Sequence, residues 1–215
     1  MDGQILFVLS GVHINRKYTA CVKIKNEITA SLDRNIEEGL DKYLNYTIGH
    51  LKMILTTEQK RSDFKVEDSD ADLNLSVTSA CQKSTVFLHS IMVYIKENLD
   101  GPNKKNVLTE LGLRFHRLLM EHLVLFVYTY TGAIKVLCDV TEYRKVIEIF
   151  EIPTLLNIME ATHMLCNLLI VPPENLKQVA TDAQLTTGTL DKNVVMSFIQ
   201  LRHDFKTKIG KNFVL

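Results

Sequence analysis

Tryptophan is absent from this 215-residue chain, and proline (four) and glycine (nine) are scarce. A β-sandwich or barrel needs turn residues every few positions, so this shortage favours helices. Net charge is missing as well: 25 Lys and Arg balance 25 Asp and Glu. That balance removes any global pull towards nucleic acid or acidic lipid. No run approaches the ~18 apolar residues of a membrane span; the best, Leu123 to Tyr130, is preceded by Glu121 and His122. The start, Met1-Asp2-Gly3, has no basic flank, and the apolar run Ile5 to Leu9 is too short for a signal core, so a cytosolic product is expected. Cys21, Cys81, Cys138 and Cys166 form no CxxC pair and sit in apolar-periodic runs. Buried free thiols fit that pattern better than a disulfide framework.

Signatures of chemistry are missing too. There is no HExxH, GxSxG, Walker loop or GxGxxG. Asp68-x-Asp70-x-Asp72 with Asn74 begins like a calcium loop. Leu73 stands where such a loop needs glycine, and Ser79 stands where it needs a bidentate glutamate. A solvated acidic loop is the reading. Glu160-x-x-His163, with Cys166 on the same face, has the spacing of di-iron bundles. No second copy exists, so His163 is expected to pair locally with Glu160. His116 and His122 read as interior or boundary residues of a packed helix. No catalytic, cofactor-binding or metal residue is assigned, and no cofactor is expected.

What the chain does have is helical periodicity. From about Arg16 to Lys60 the apolar positions Ile24, Ile28, Leu32, Ile36, Leu40, Leu44 and Ile48 run in steps of four, then Leu51 and Leu55. Each step advances ~400°, so the stripe creeps by ~40° and must meet more than one neighbour. Residues 61–72 read as a polar surface loop with Phe64 alone in it. A second helix follows to Leu99, stopped by Asp100-Gly101-Pro102-Asn103. The third is expected from Lys104 to Tyr130, its end buried on two sides through Met120, Leu123, Val127 and Tyr130. The next carries Val136, Val140, Tyr143, Ile147 and Phe150. Pro153 suits a helix N1 position and opens a helix through Leu156, Met159, His163, Cys166 and Leu169. A short helix, Glu174 to Val179, and a flexible stretch, Thr181 to Thr189, precede Asp191, the expected cap of a last helix reaching Ile209. That end places Arg202, Lys206, Lys208 and Lys211 beside Phe205, Ile209 and Phe213, a basic amphipathic end able to touch anionic lipid. The chain is expected to be all-α.

Longer strings carry a resemblance. They are Cys138-Asp139-Val140, Glu142-Tyr143-Arg144-Lys145, Ile152-Pro153, Leu165-Cys166-Asn167-Leu168-Leu169, Asn175-Leu176-Lys177-Gln178-Val179, Leu190-Asp191-Lys192-Asn193 and Gln200-Leu201-Arg202. Upstream stand Asp63-Phe64-Lys65 and Leu111-Gly112-Leu113-Arg114-Phe115-His116-Arg117. Over roughly Ile24 to Phe205 the chain resembles the C-terminal region of the Sec-ten (exocyst component 5) family. The resemblance implies an elongated stack of helical bundles, part of a tethering-complex rod, without enzymatic activity. It implies help in tethering secretory vesicles to the plasma membrane in exocytosis. The partners it implies are other exocyst subunits and a small GTPase, with no nucleic acid and at most peripheral membrane contact. The expected organisation is an unmatched segment 1–17, a long-helix segment 18–100 and a C-terminal helical bundle 103–215. The family protein is several times longer, so a fragment, a truncated copy that no longer assembles or a paralogue is the companion expectation. The rival reading is a helical lipid- or metal-binding module.

Overall fold

The computed structural model describes the backbone over 2–65, 76–187 and 191–210 and side chains over 17–65, 76–182 and 191–210, and among these described residues there are seven α-helices. They are α1 (Asp2–Glu58), α2 (Ser79–Asn98), α3 (Gly101–Leu123), α4 (Tyr130–Glu148), α5 (Pro153–Asn167), α6 (Leu176–Thr187) and α7 (Lys192–Ile199). A 3-10 turn, Arg61–Asp63, follows α1, and a π-helical turn, Phe205–Ile209, follows α7. Among the described residues there is no strand, only an isolated parallel bridge between Tyr128 and Arg202. The fold is all-α.

Two compact units divide the chain, Met1–Tyr46 and Thr47–Leu215. In the first, the four-step stripe starts uncovered, with Ile24, Ile28, Leu32 and Ile36 each more than half exposed, and ends half-buried at Leu40 and buried at Leu44. In the second, Leu44's continuation along α1, Leu51 and Leu55, is buried. This unit includes α2 as well as the later helices, so Asp100-Gly101-Pro102-Asn103 separates two helices within one unit. Gly101 takes φ +55° there, a left-handed conformation that glycine adopts without a Cβ penalty. Pro102 falls in the first turn of α3, where a missing N–H is harmless.

The centre of the second unit is α5. It packs against α3, α4, α6 and α7. Pro153 opens it as expected, and Leu155, Met159, Thr162, Leu165 and Cys166 are its buried face. Against α3 the approach is close because Gly112 has no side chain: a Cβ there would stand 2.3 Å from Leu155 Cδ1. The expected stripe of α4 is buried throughout, from Val136 to Phe150. On α2, Ala80, Ser84, Leu88, Met92 and Ile95 face inward, whereas Val86 is exposed.

Several expected boundaries move, each for a tertiary reason. α3 ends at Leu123, seven residues before Tyr130. The Tyr128 hydroxyl donates to the Leu123 carbonyl (2.7 Å), satisfying a free helix-end acceptor. After a turn at Val124 and Leu125 the chain half-buries Phe126 and buries Tyr128, leaving Leu125, Val127 and Tyr130, the first residue of α4, exposed. Thr129 donates its N–H to the Phe64 carbonyl (3.1 Å) and caps α4 through Gly132 N. Phe64 is therefore no surface residue: it is buried, with its ring 5.2 Å from Phe126 and 5.1 Å from Tyr128. α6 continues through Thr187, across most of the stretch read as flexible. Asp191 caps α7 through Asn193 N (2.7 Å), but that helix stops at Ile199. Tyr128 N donates to Leu201 O and His203 N to Tyr128 O (both 2.9 Å), drawing these peptides out of the helical ladder.

Candidate functional site

Glu160 does not pair with His163. Its carboxylate meets Arg144 of α4 at 3.2 Å, and His163 Nδ1 lies 3.4 Å from Asn167 Nδ2. No group of three or more His, Cys, Asp or Glu side chains among the described residues stands close enough to share an ion. The acidic positions Asp68, Asp70, Asp72 and Asn74 lie outside the described residues. His116 is half-buried with its Nε2 2.9 Å from the Thr162 hydroxyl. All four cysteines are free; Cys81 and Cys166 are buried, but Cys21 is exposed and Cys138 half-buried, contrary to expectation. Burial pushes the Cys166 thiol up to about 12, and it raises Cys81 further, so both are neutral fillers rather than nucleophiles.

The densest polar cluster inside the unit is structural. Asp139 of α4 accepts from Thr78 N and from the Thr78 hydroxyl (both 2.8 Å), and Thr78 Oγ1 in turn accepts from Cys81 N as the cap of α2. A single carboxylate thus positions the start of α2 on α4. Sequence periodicity counts Asp139 only as a polar gap between Cys138 and Val140, so it gives no hint of this role. Burial raises its pKa from 3.8 to about 6, against the Thr78 hydrogen bonds, which lower it. His122 is buried too, its Nε2 without a hydrogen-bond partner, and burial lowers its pKa from 6.5 to about 4.

These two groups act on stability in opposite directions. His122 stays neutral in the fold while the unfolded chain takes up a proton, so its contribution is full above pH 6.5 and is lost towards pH 4. His116, lowered by the same cause, adds to that loss. Asp139 binds its proton more tightly when folded, so its contribution grows as pH falls from about 6 to 3.8. Between those limits, His122→Leu is expected to shrink the acid-induced fall in melting temperature. Asp139→Asn is expected to enlarge it. Thermal melts of the three proteins across this window check both signs.

The most built surface feature is a groove of about 920 Å³ within Thr47–Leu215. The 3-10 turn contributes Arg61 and Ser62, with Lys65 just after it; the link after α5 contributes Leu169 to Pro173; the chain after α7 contributes Arg202 to Asp204 and Lys208. Arg202 is not the surface cation of an amphipathic end. It is buried, with Nη1 donating to the carbonyls of Leu168 (2.8 Å) and Val171 (2.6 Å). Its Nε and Nη2 engage the Asp204 carboxylate at 2.9 and 3.1 Å, which holds that acid below its ordinary value. Lys206 and Lys208 are exposed; Lys211 and Phe213 lie outside the described residues.

The described residues thus define an α-helical bundle module in which Asp139, Thr78 and Arg202 tie one element to another, and whose surface carries a groove with a basic lining. Comparison with known proteins gives this module a lineage. The family model described as exocyst complex component Sec10-like, alpha-helical bundle, matches residues 7–213. Exocyst complex component 5 of Mus musculus is 43% identical over 198 residues, 92% of this chain and 28% of that protein. The Homo sapiens counterpart is 42% identical over the same shares, and that of Drosophila melanogaster 38% identical over 92% of this chain and 27% of its own length. The chain belongs to the exocyst complex component Sec10-like family. It spans little more than a quarter of the length of these curated relatives. The match starts at residue 7, ahead of Ile24, where the resemblance read from the sequence begins.

Proposed function

We propose that the chain acts within the exocyst as a non-enzymatic helical module, helping to tether secretory vesicles to the plasma membrane in exocytosis. The observation that carries this reading is the 43% identity to a protein named exocyst complex component 5, extending over 92% of the chain. An all-α bundle with buried, high-pKa thiols and capping carboxylates also supports it, since such groups hold shape rather than react. Its partners would be other exocyst subunits and a small GTPase. Its place would be the cytoplasm, peripheral at sites of vesicle docking; among the described residues no helix is long and apolar enough to cross a membrane.

Affinity capture of the tagged chain from cells, with mass spectrometry of what it retains, tests this directly. Exocyst subunits are expected to be enriched over a tag-only control. Capture of the folded chain with none of them would overturn assembly as its role. Metal- or lipid-module readings gain nothing from the geometry: Arg144 occupies Glu160, and Arg202 is withdrawn from the basic end.

A further inference from the structure

Among the described residues, the groove beside the Tyr128–Arg202 bridge combines basic side chains with an apolar wall. Arg61 and Lys65 come from one segment and His203 and Lys208 from another, all four are exposed, and all line one cavity. Arg61 and Lys65 carry no ion pair among the described residues. The one acid among the described lining residues is Asp204, whose charge is already taken by the Arg202 fork. Ile170, Val171, Pro172 and Pro173 supply the apolar wall, and Leu125 and Val127 stand exposed on the neighbouring segment. Backbone here cannot rearrange freely, because Arg202 ties the post-α5 link to the post-α7 chain through two carbonyls.

From this arrangement we infer that the groove is a docking site for an acidic peptide segment of a partner protein, bound extended, with apolar side chains between its carboxylates. Charge complementarity selects the acids: cations from two segments around one concavity can each meet a separate carboxylate along a strand. The apolar wall selects side chains between them, as clefts of ~300–1,000 Å³ do for their ligands. A flat anionic bilayer matches less well, since it would meet cations on an exposed face rather than cations set around a cavity. The occupant need not be an exocyst subunit, so the groove's test stands apart from capture of the complex.

The experiment is fluorescence anisotropy of a labelled peptide alternating Asp or Glu with Leu, titrated with the full 215-residue chain. Saturable binding that weakens with added salt is expected, and a matched peptide with Asn and Gln in place of the acids should not bind. The double variant Arg61→Glu, Lys65→Glu and, separately, Lys208→Glu should each weaken binding by about tenfold. All three sites are exposed, so circular dichroism melts should be unchanged. Lys25→Glu, in the other unit, should leave affinity as it was. No binding, or equal binding to all variants, overturns the inference. So does co-sedimentation with phosphatidylserine vesicles that the same substitutions abolish while the peptide stays unbound, which would make this a lipid surface.

Discussion

Phe64→Ala is expected to cost ~3–5 kcal/mol, the range for emptying a buried aromatic site. Its ring is 1% exposed and meets Phe126 edge-on and Tyr128 at a tilt, and Phe126 passes the contact on to His122 at 5.0 Å. Removing the ring leaves a hole that two backbone-fixed neighbours cannot fill: Thr129 is held by the Phe64 carbonyl, and a Cβ on Gly132 would stand 1.8 Å from that same oxygen. Collapse is thereby blocked, which places the cost high in the range. At about 2–4 °C per kcal/mol for a unit of this size, the melting temperature should drop by roughly 10 °C. A drop of only a degree or two would show that residues 61–65 are peripheral to the bundle.

Leu155→Ala should be nearly as damaging, towards the upper end of ~2–5 kcal/mol, because the helix it faces presents Gly112 and has no side chain to move in. The partner substitution reverses sign with background. In the parent chain Gly112→Ala forces a Cβ within 2.3 Å of Leu155 Cδ1, and a loss of ~1–3 kcal/mol is expected. In the Leu155→Ala background the obstruction is gone. The added methyl fills part of the hole, and alanine is favoured over glycine in a helix by about 1 kcal/mol. Gly112→Ala should then stabilise. Urea unfolding of the four proteins closes the cycle, and a coupling energy near zero would mean that these two helices do not meet as described.

Local signals were legible where the cause was local. Pro153 opens α5, Asp191 caps α7, the Asp100–Asn103 stop divides α2 from α3, and steps of three and four from Val136 to Phe150 mark the buried face of α4. Boundaries set from afar were not. Val124 to Thr129 contains no Gly or Pro, so its apolar pattern continues a helix until one knows that Phe64, 65 positions away from Thr129, takes the Thr129 backbone. Phe64 itself sits among polar residues, and a lone aromatic there carries no period. Arg202 misleads for a chemical reason, since arginine is almost never fully buried unless paired. Its partners are carbonyls of another helix end and an acid two residues on. The groove is assembled from three such long-range placements, so no stretch of sequence announces it.

The bridge between Tyr128 and Arg202 also sets an order of events. Each helix can form from its own neighbours within microseconds, but this pairing closes a loop of about 75 residues. Contacts of that separation are made late, after local structure has shortened the effective chain. A species with every helix formed and the bridge open would look native by helical content, yet it would lack the groove entirely. Competence to bind there is thus a property of the completed fold and not of its parts, and it would be the first thing lost under partial unfolding. A ligand in the groove, favouring the closed form, would in turn hold the last segment in place.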